Sequence, residues 1–389
     1  MQGHIQQRGD SWRVIAYLGR DESTGKKRYA QRTVRGTKSD AQSALARLVT
    51  EVNDGRFASA GSLTIADLLD RFLELKAHQV DPTTLTGYRR VADYYIVPRI
   101  GTLKVGKVRP LHLDRFYTSL MDSGGKNGKS LSPRTVRLCH VLLRQALAQA
   151  KRWGLLASNP AEDASPPRDT RREITPPTSE QVNRLLRGAI EVDPDFGVYL
   201  RVLAVTGCRR GEAHARRWRD FQIGEAGPGE VVIAHSIAHV GSGVVEKDTK
   251  THQGRRLMID AGTVEVLRRH RRAWEGYAEL AGTKITKDSY LFSSALDAST
   301  PWRPDVATNR FIRLCRELGI TGVRLHDLRH YVATSLGAAG TPIATISSRL
   351  GHRDRATTLN VYSHSLPALD HQAAEVIGAL IDDPAAADV

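Results

Sequence analysis

From Val323 to His364 the chain reads VRLHDLRHYVATSLGAAGTPIATISSRLGHRDRATTLNVYSH. His326 and Arg329 stand three residues apart, Leu350-Gly351-His352 follows, and Tyr362 comes ten residues after His352. A tyrosine hydroxyl is a nucleophile when its target is made electrophilic. Arginine and histidine donors stabilise a phosphate that gains charge in its transition state. No acidic cluster accompanies this set, so it points to phosphoryl transfer onto a tyrosine without a metal. Taken singly, each residue has a plainer reading. Tyr362 fits a packed tyrosine, His326 a structural histidine, and a His-x-x-Arg pair falls on one helix face in many chains.

An upstream partner stands at Thr206–Trp218, TGCRRGEAHARRW. The apolar run Val198–Val205 ends in Thr206-Gly207, and Gly207 permits a tight turn into the next helix. Arg209 follows, with Glu212 one helical turn on, where it can orient Arg209 or a neighbour. The plain alternative is a solvated i, i+3 ion pair worth only ~0.2–0.5 kcal/mol.

Thr206-Gly207-x-Arg209-x-x-Glu212, His326-x-x-Arg329, Leu350-Gly351-His352 and Tyr362 together resemble, in order and separation, the signature boxes of the tyrosine recombinases of the phage-integrase family. Each box alone is weak and the four in sequence are specific. The resemblance implies that Arg209, His326, Arg329 and His352 surround a scissile phosphate and that Tyr362 attacks it. It also implies a lysine on a β-hairpin downstream of the first box. Val231–Ala238, Val244–Lys247 and Arg255–Ile259 read as strands, and Lys250-Thr251 before the last of them resembles that element. Lys250 is assigned as general acid to the leaving 5′-oxygen, with Lys247 as the alternative. One departure is the ten-residue step from His352 to Tyr362, where nine is frequent. The implied activity is integration or excision of a phage or mobile element through a 3′-phosphotyrosine, with neither ATP nor Mg²⁺ and no other cofactor. The implied partners are double-stranded DNA attachment sites, a homotetramer on DNA, and accessory DNA-bending or directionality factors. A relaxing type IB topoisomerase and a non-catalytic DNA-binding protein are the alternatives from other classes. The basic N-terminal unit argues against the first and the intact residue set against the second.

The elements that must position these residues are carried on 389 residues with 57 Lys+Arg against 42 Asp+Glu, a formal charge of +15. The length predicts two or three domains, and the charge a polyanionic partner, nucleic acid before membrane. No apolar run reaches about 18 residues and no signal peptide is visible, so a soluble, cytoplasmic protein is expected. Cys139, Cys208 and Cys315 are few and widely spaced and read as reduced thiols. His326-x-x-x-His330 has zinc-ligand spacing, but it lacks the Glu of His-Glu-x-x-His and an obvious third ligand.

The predicted fold is multidomain, mainly α with small β-sheets. Residues 1–57 read as three strands (His4–Arg8, Trp12–Leu18, Lys27–Val34) and a helix capped by Ser39. They carry eleven Lys+Arg and six Asp+Glu, a net +5. This unit resembles the arm-type DNA-binding domain of phage-type integrases. Residues 62–163 predict four helices, which resemble the family's helical core-binding (SAM-like) domain. The first is capped by Thr64, the second runs Thr84–Val97 and stops before Pro98, the third covers Leu111–Met121, and the fourth opens at Ser132-Pro133. Residues 164–177, with four prolines, form a stiff linker. Residues 178–389 make an α+β catalytic domain. In it a helix begins at Thr178 or Ser179, Ile343–Leu350 delivers His352, and Leu369–Ile381 forms a C-terminal helix before an acidic tail. That helix docks either on its own domain or on a neighbouring protomer.

Overall fold

The computed structural model describes residues 3–20, 25–53, 63–169, 175–240, 243–248 and 254–351. Lys250, His352, Tyr362 and the predicted C-terminal helix lie outside the described residues. The chain divides into two compact units, Met1–Arg172 and Glu173–Val389.

The first unit opens with an antiparallel sheet in the order β1 (Gly3–Arg8), β2 (Ser11–Arg20), β3 (Lys27–Arg35). Side chains alternate across a strand. Val14, Ala16 and Ala30 therefore share one face and pack against Ala41, Leu48 and Val52 of α1 (Lys38–Asn53). The cap of α1 is Thr37, not Ser39. Asp40 stands three residues past Thr37, so the two exchange bonds: the Asp40 amide donates to Thr37 Oγ1 at 3.3 Å and the Thr37 amide to Asp40 Oδ2 at 2.8 Å. This is the reciprocal geometry of a capping box.

A second core in the same unit is helical. It unites Leu68, Leu69 and Phe72 of α2 (Ile65–Ala77) with Leu113 and Phe116 of α5 (Pro110–Ser123) and Leu143 and Leu147 of α6 (Pro133–Arg152). Thr64 caps α2 in a box with Asp67, and Ser132 caps α6 with Pro133 in its first turn. The predicted helix Thr84–Val97 differs in both ends and in its middle. α3 (Pro82–Val91) starts at Asp81, gives way to a π-turn over Ala92–Ile96, and α4 (Val97–Ile100) continues through Pro98. The Val97 amide donates five residues back to Ala92 O. That wide turn restarts the helix just before Pro98, which then sits in a first turn where its missing N–H costs nothing.

The second unit is built around α8 (Pro194–Thr206), whose Val198, Leu200, Val202 and Leu203 are buried. A helix apolar on most sides belongs in a core. Packed about it are α7 (Ser179–Val192), capped by Thr178, and α10 (Ala261–Leu280) and α12 (Asp327–Ala338). α9 (Arg210–His214), α11 (Pro304–Glu317) and α13 (Ile343–Leu350) complete the helices of its described residues. β4 (Phe221–Gln222), β5 (Gly229–Ile233) and β8 (Arg255–Ile259) form one antiparallel sheet, while β6 (His235–Val240) and β7 (Gly243–Asp248) form a separate two-stranded ladder. The predicted strand Val231–Ala238 is thus broken at Ala234. Arg216, 1% exposed, lies under the break: it donates to Val232 O on one side and to His235 O at 2.8 Å on the other.

Candidate active site

Four segments distant in sequence converge at the C-terminal end of α8. Gly207 ends that helix in the left-handed conformation, φ +64°, and its carbonyl accepts from Arg329 Nη1 at 2.6 Å. Gly351 ends α13 in the same way, also at φ +64°. A Cβ on Gly207 would stand 2.5 Å from Leu350 Cδ2, and one on Gly351 would stand 2.9 Å from Arg255 Nη1. Both motif glycines are therefore required twice, by their backbone angle and by the side chain pressed against them. Leu350 is the plug between them, buried with Val332, Ala333 and Ile346.

Onto this frame the guanidiniums are fixed by carbonyls and one carboxylate. Arg329, 4% exposed, donates through Nη2 to Leu350 O as well as to Gly207 O. These bonds use two of the five N–H donors of a guanidinium. Arg209 donates through Nη2 to Gly351 O at 3.1 Å and through Nη1 to Glu212 Oε1 at 2.8 Å. The Arg209 amide takes the other carboxylate oxygen at 2.8 Å. Arg255 Nη2 reaches that same oxygen at 2.6 Å, and its Nε donates to Arg349 O at 2.9 Å. Glu212, 1% exposed, thus ties Arg209 to Arg255.

The charges do not balance. Arg209, Arg255 and Arg329 bring three positive charges, and Glu212 brings one negative charge among them. Burial alone would raise the Glu212 carboxyl, but the Arg255 bond and charge and then the Arg209 amide hold it at about 2. Burial, then the charge of Arg209, pushes Arg329 down to about 9. Asp327, also buried, is engaged elsewhere, accepting the Arg324 amide at 2.8 Å and its Nη2 at 3.1 Å. The side chain of Arg209 is 28% exposed, so the excess charge opens to solvent at that guanidinium.

His326 begins α12 beside Arg329, its ring edge-on to His330 at 5.2 Å. It is exposed on one side. Burial of the rest of the ring, then His330 and Arg329, push its pKa down to about 4. The imidazole is therefore neutral at pH 7. Among the described residues no three His, Cys, Asp or Glu side chains could hold a metal ion.

The structure thus brings together Arg209, His326 and Arg329 of the predicted set. Two residues of the cluster went unread in the sequence. Arg255 opens the strand RRLMI, where residues 255, 257 and 259 are buried and 256 and 258 exposed. An arginine in the inward phase of an apolar alternation is the signal that marks it, since a buried charge must be paired. Arg216 has a local partner in Asp220, four residues on at 3.1 Å, but that spacing reads as an ordinary surface ion pair; its bonds to the carbonyls of Val232 and His235 are what the fold alone supplies.

Residues 177–368 match the phage integrase family, and residues 64–121 match the phage integrase N-terminal SAM-like domain. The chain belongs to the phage integrase family. It is a tyrosine site-specific recombinase, and Arg209, His326 and Arg329 all lie within the longer match. Among its relatives, the ICEBs1 integrase of Bacillus subtilis is 24% identical over 95% of this chain and 97% of its own length. An integrase of Streptomyces ambofaciens is 26% identical over 92% and 90%. The same fold is found in the Tn1549 transposon integrase in complex with a circular intermediate DNA, with TM-score 0.66 and 19% identity over 80% of this chain and 100% of that one. A lambda integrase tetramer bound to a Holliday junction gives 0.58 and 15% over 92% and 94%.

Proposed function

We propose that this recombinase cuts duplex DNA with Tyr362 and that Arg209 and Arg329 hold the scissile phosphate. The observation that carries the reading is the buried cluster of three guanidiniums around one carboxylate, open to solvent at Arg209. A phosphodiester brings the negative charge this cluster lacks, and guanidinium forks suit its oxygens. Glu212 and Arg255 orient Arg209 rather than touch the DNA.

In the first step the Tyr362 hydroxyl attacks in line. The Tyr–O–P bond forms, the P–O5′ bond breaks, and the tyrosine proton leaves to a base, for which His326, neutral at pH 7, and His352 are the candidates. Lys250 gives its proton to the departing 5′-oxygen, with Lys247 as the alternative. In the second step a 5′-hydroxyl of another strand attacks the phosphotyrosine and displaces it. The phosphodiester energy is conserved in the intermediate, so no ATP is consumed, and the arginines supply the charge stabilisation that a metal would give.

The same reading assigns arm-type DNA binding to residues 1–57, core-site binding to 62–163, a linker to 164–177 and catalysis to 178–389. The enzyme acts as a homotetramer on attachment-site DNA, with accessory bending or directionality factors. The site of action is the cytoplasm of a bacterial host; no helix among the described residues is long and apolar enough to cross a membrane.

The test is covalent trapping. Wild-type protein and Tyr362→Phe are incubated in EDTA with nicked duplexes from the element's own ends and run on denaturing gels. A DNA-linked band with wild type alone is expected. No band despite binding of the duplex overturns the reading, and a band from Tyr362→Phe overturns the choice of nucleophile.

A further inference from the structure

The ladder β6–β7 pairs with no other strand among the described residues. A lone two-stranded hairpin is marginal in water, so its placement depends on ties to other elements. β6 is seated on α9: a Cβ on Gly211 would stand 2.5 Å from Ile237 O, and Ile237 is buried with Ala215 and Tyr290. β7 is the outer strand, with Val244 and Val245 exposed. Glu246, opposite Ile237 in the ladder, is its tie.

The Glu246 carboxylate accepts from Arg217 Nη2 at 2.9 Å and from the Tyr290 hydroxyl at 2.9 Å. Arg217 lies over the Tyr290 ring, its guanidinium carbon 3.8 Å from the centroid. It is itself pinned by Nη1 donating to Asp288 O at 2.7 Å and by a backbone bridge from Arg217 to Tyr290. The preceding residue, Arg216, holds the point where the chain crosses from β5 to β6 and also donates through Nε to Glu212 O at 2.9 Å. Two adjacent arginines therefore hold the hairpin, and the first of them also holds the backbone carbonyl of Glu212, the residue whose carboxylate orients Arg209. The Arg217–Glu246 pair, its side chains 21% and 28% exposed, is a weak source of stability. Its geometry, three groups locked on one carboxylate, fixes direction instead.

We propose that Glu246, with Arg217 and Tyr290, is the positioning clamp of the general-acid lysine. Lys247 is the next residue of β7, and in the sequence Lys250 follows the last residue of that strand by two. The inference rests on the reading that a lysine of this segment protonates the leaving 5′-oxygen. Loosening β7 then slows cleavage by withholding that proton, while the phosphate-binding arginines keep their places. A 1 Å misplacement of a catalytic group is enough for a loss of about 10²-fold.

The test compares a nicked duplex of ordinary chemistry with one whose scissile phosphate carries a 5′-bridging sulfur. A thiolate leaves without a proton, so a missing general acid no longer matters. Glu246→Ala is expected to cleave the oxygen substrate roughly 10- to 100-fold more slowly than wild type and the sulfur substrate at the wild-type rate. Tyr290→Phe removes one donor, leaves the packing intact and is expected to give a smaller defect with the same rescue. Glu246→Gln, which keeps both acceptor bonds, restores most of the rate. Lys250→Ala is the positive control for rescue, and Arg209→Ala, slow on both substrates, is the negative one. Glu246→Ala and Tyr290→Phe equally slow on both substrates, or as fast as wild type on both, overturn the clamp. Rescue of Lys247→Ala but not of Lys250→Ala overturns the choice of lysine and leaves the clamp standing. Rescue of neither lysine variant overturns the general-acid reading itself.

Discussion

Glu212 decides the electrostatics of the site because it is the one carboxylate among three guanidiniums, bonded to Arg209 and Arg255 and close enough to act on Arg329 by charge. Its loss leaves like charges buried together, and breaking a buried pair typically costs about 3–5 kcal/mol. Glu212→Gln is therefore expected to lower the melting temperature by several degrees. Added phosphate or sulfate should recover more of that loss than it adds to the wild type, since the anion replaces the missing charge. Equal shifts in both proteins would mean that the cluster is not an anion site. The two arginines proposed to meet the phosphate differ in how they are built in. Arg329 is buried on Gly207 O and Leu350 O, whereas Arg209 is partly open. Arg209→Ala and Arg329→Ala should each keep DNA binding and lose about 10²–10³ in cleavage rate. Only Arg329→Ala should also cost stability, by roughly 1–3 kcal/mol for the carbonyls left unpaired. Single-turnover cleavage and urea melts of both variants check this, and a wild-type rate from either removes it from the chemistry.

Elements set those residues in place through their ends. α8 stops at Gly207 and α13 at Gly351, and Leu350 fills the space between the two turns. Gly207→Ala must fit a Cβ 2.5 Å from Leu350 Cδ2 at φ +64°. The backbone term costs about 1–2 kcal/mol, and the displaced Leu350 carries the carbonyl that Arg329 holds. Cleavage is expected to fall together with thermal stability, and a variant that melts normally and cleaves normally would show that the two turns are independent. This level was partly readable in the sequence. Thr64, Ser132 and Thr178 mark helix starts because capping is local, a hydroxyl and an amide three residues on. The two motif glycines and the Arg209–Glu212 spacing were legible for the same reason. What the sequence hid is non-local. Nothing near Ala234 signals a break, because the guanidinium that shapes it is Arg216, in the segment after α9. The passage through Pro98 depends on a π-turn with no residue signature. Arg255 is a strand residue whose partners, Glu212 and Arg349, are brought to it only by the fold.

At the scale of the whole molecule, the formal charge is +15, of which the first 57 residues carry a net +5. The face of the N-terminal sheet away from α1 carries Arg8, Arg13, Tyr17, Tyr29 and Arg35, with Arg13 Nε on Gln31 Oε1 at 3.0 Å and the two tyrosine rings 5.6 Å apart. Under the proposed arm-binding role, basic side chains on a sheet with amide and phenol groups between them suit a DNA groove, the arginines for phosphates and the polar groups for base edges. Each phosphate contact contributes about 0.9 to the slope of log K against log salt. Replacing Arg8, Arg13 and Arg35 with Gln should therefore reduce that slope by up to about 2.7 on DNA that carries both arm and core sequences. On a short core-site duplex the same variant should bind with the wild-type slope, because the helical and catalytic parts keep their own basic groups. A slope that falls equally on both duplexes would place these arginines on core DNA, and one that falls on neither would take DNA off this face of the sheet.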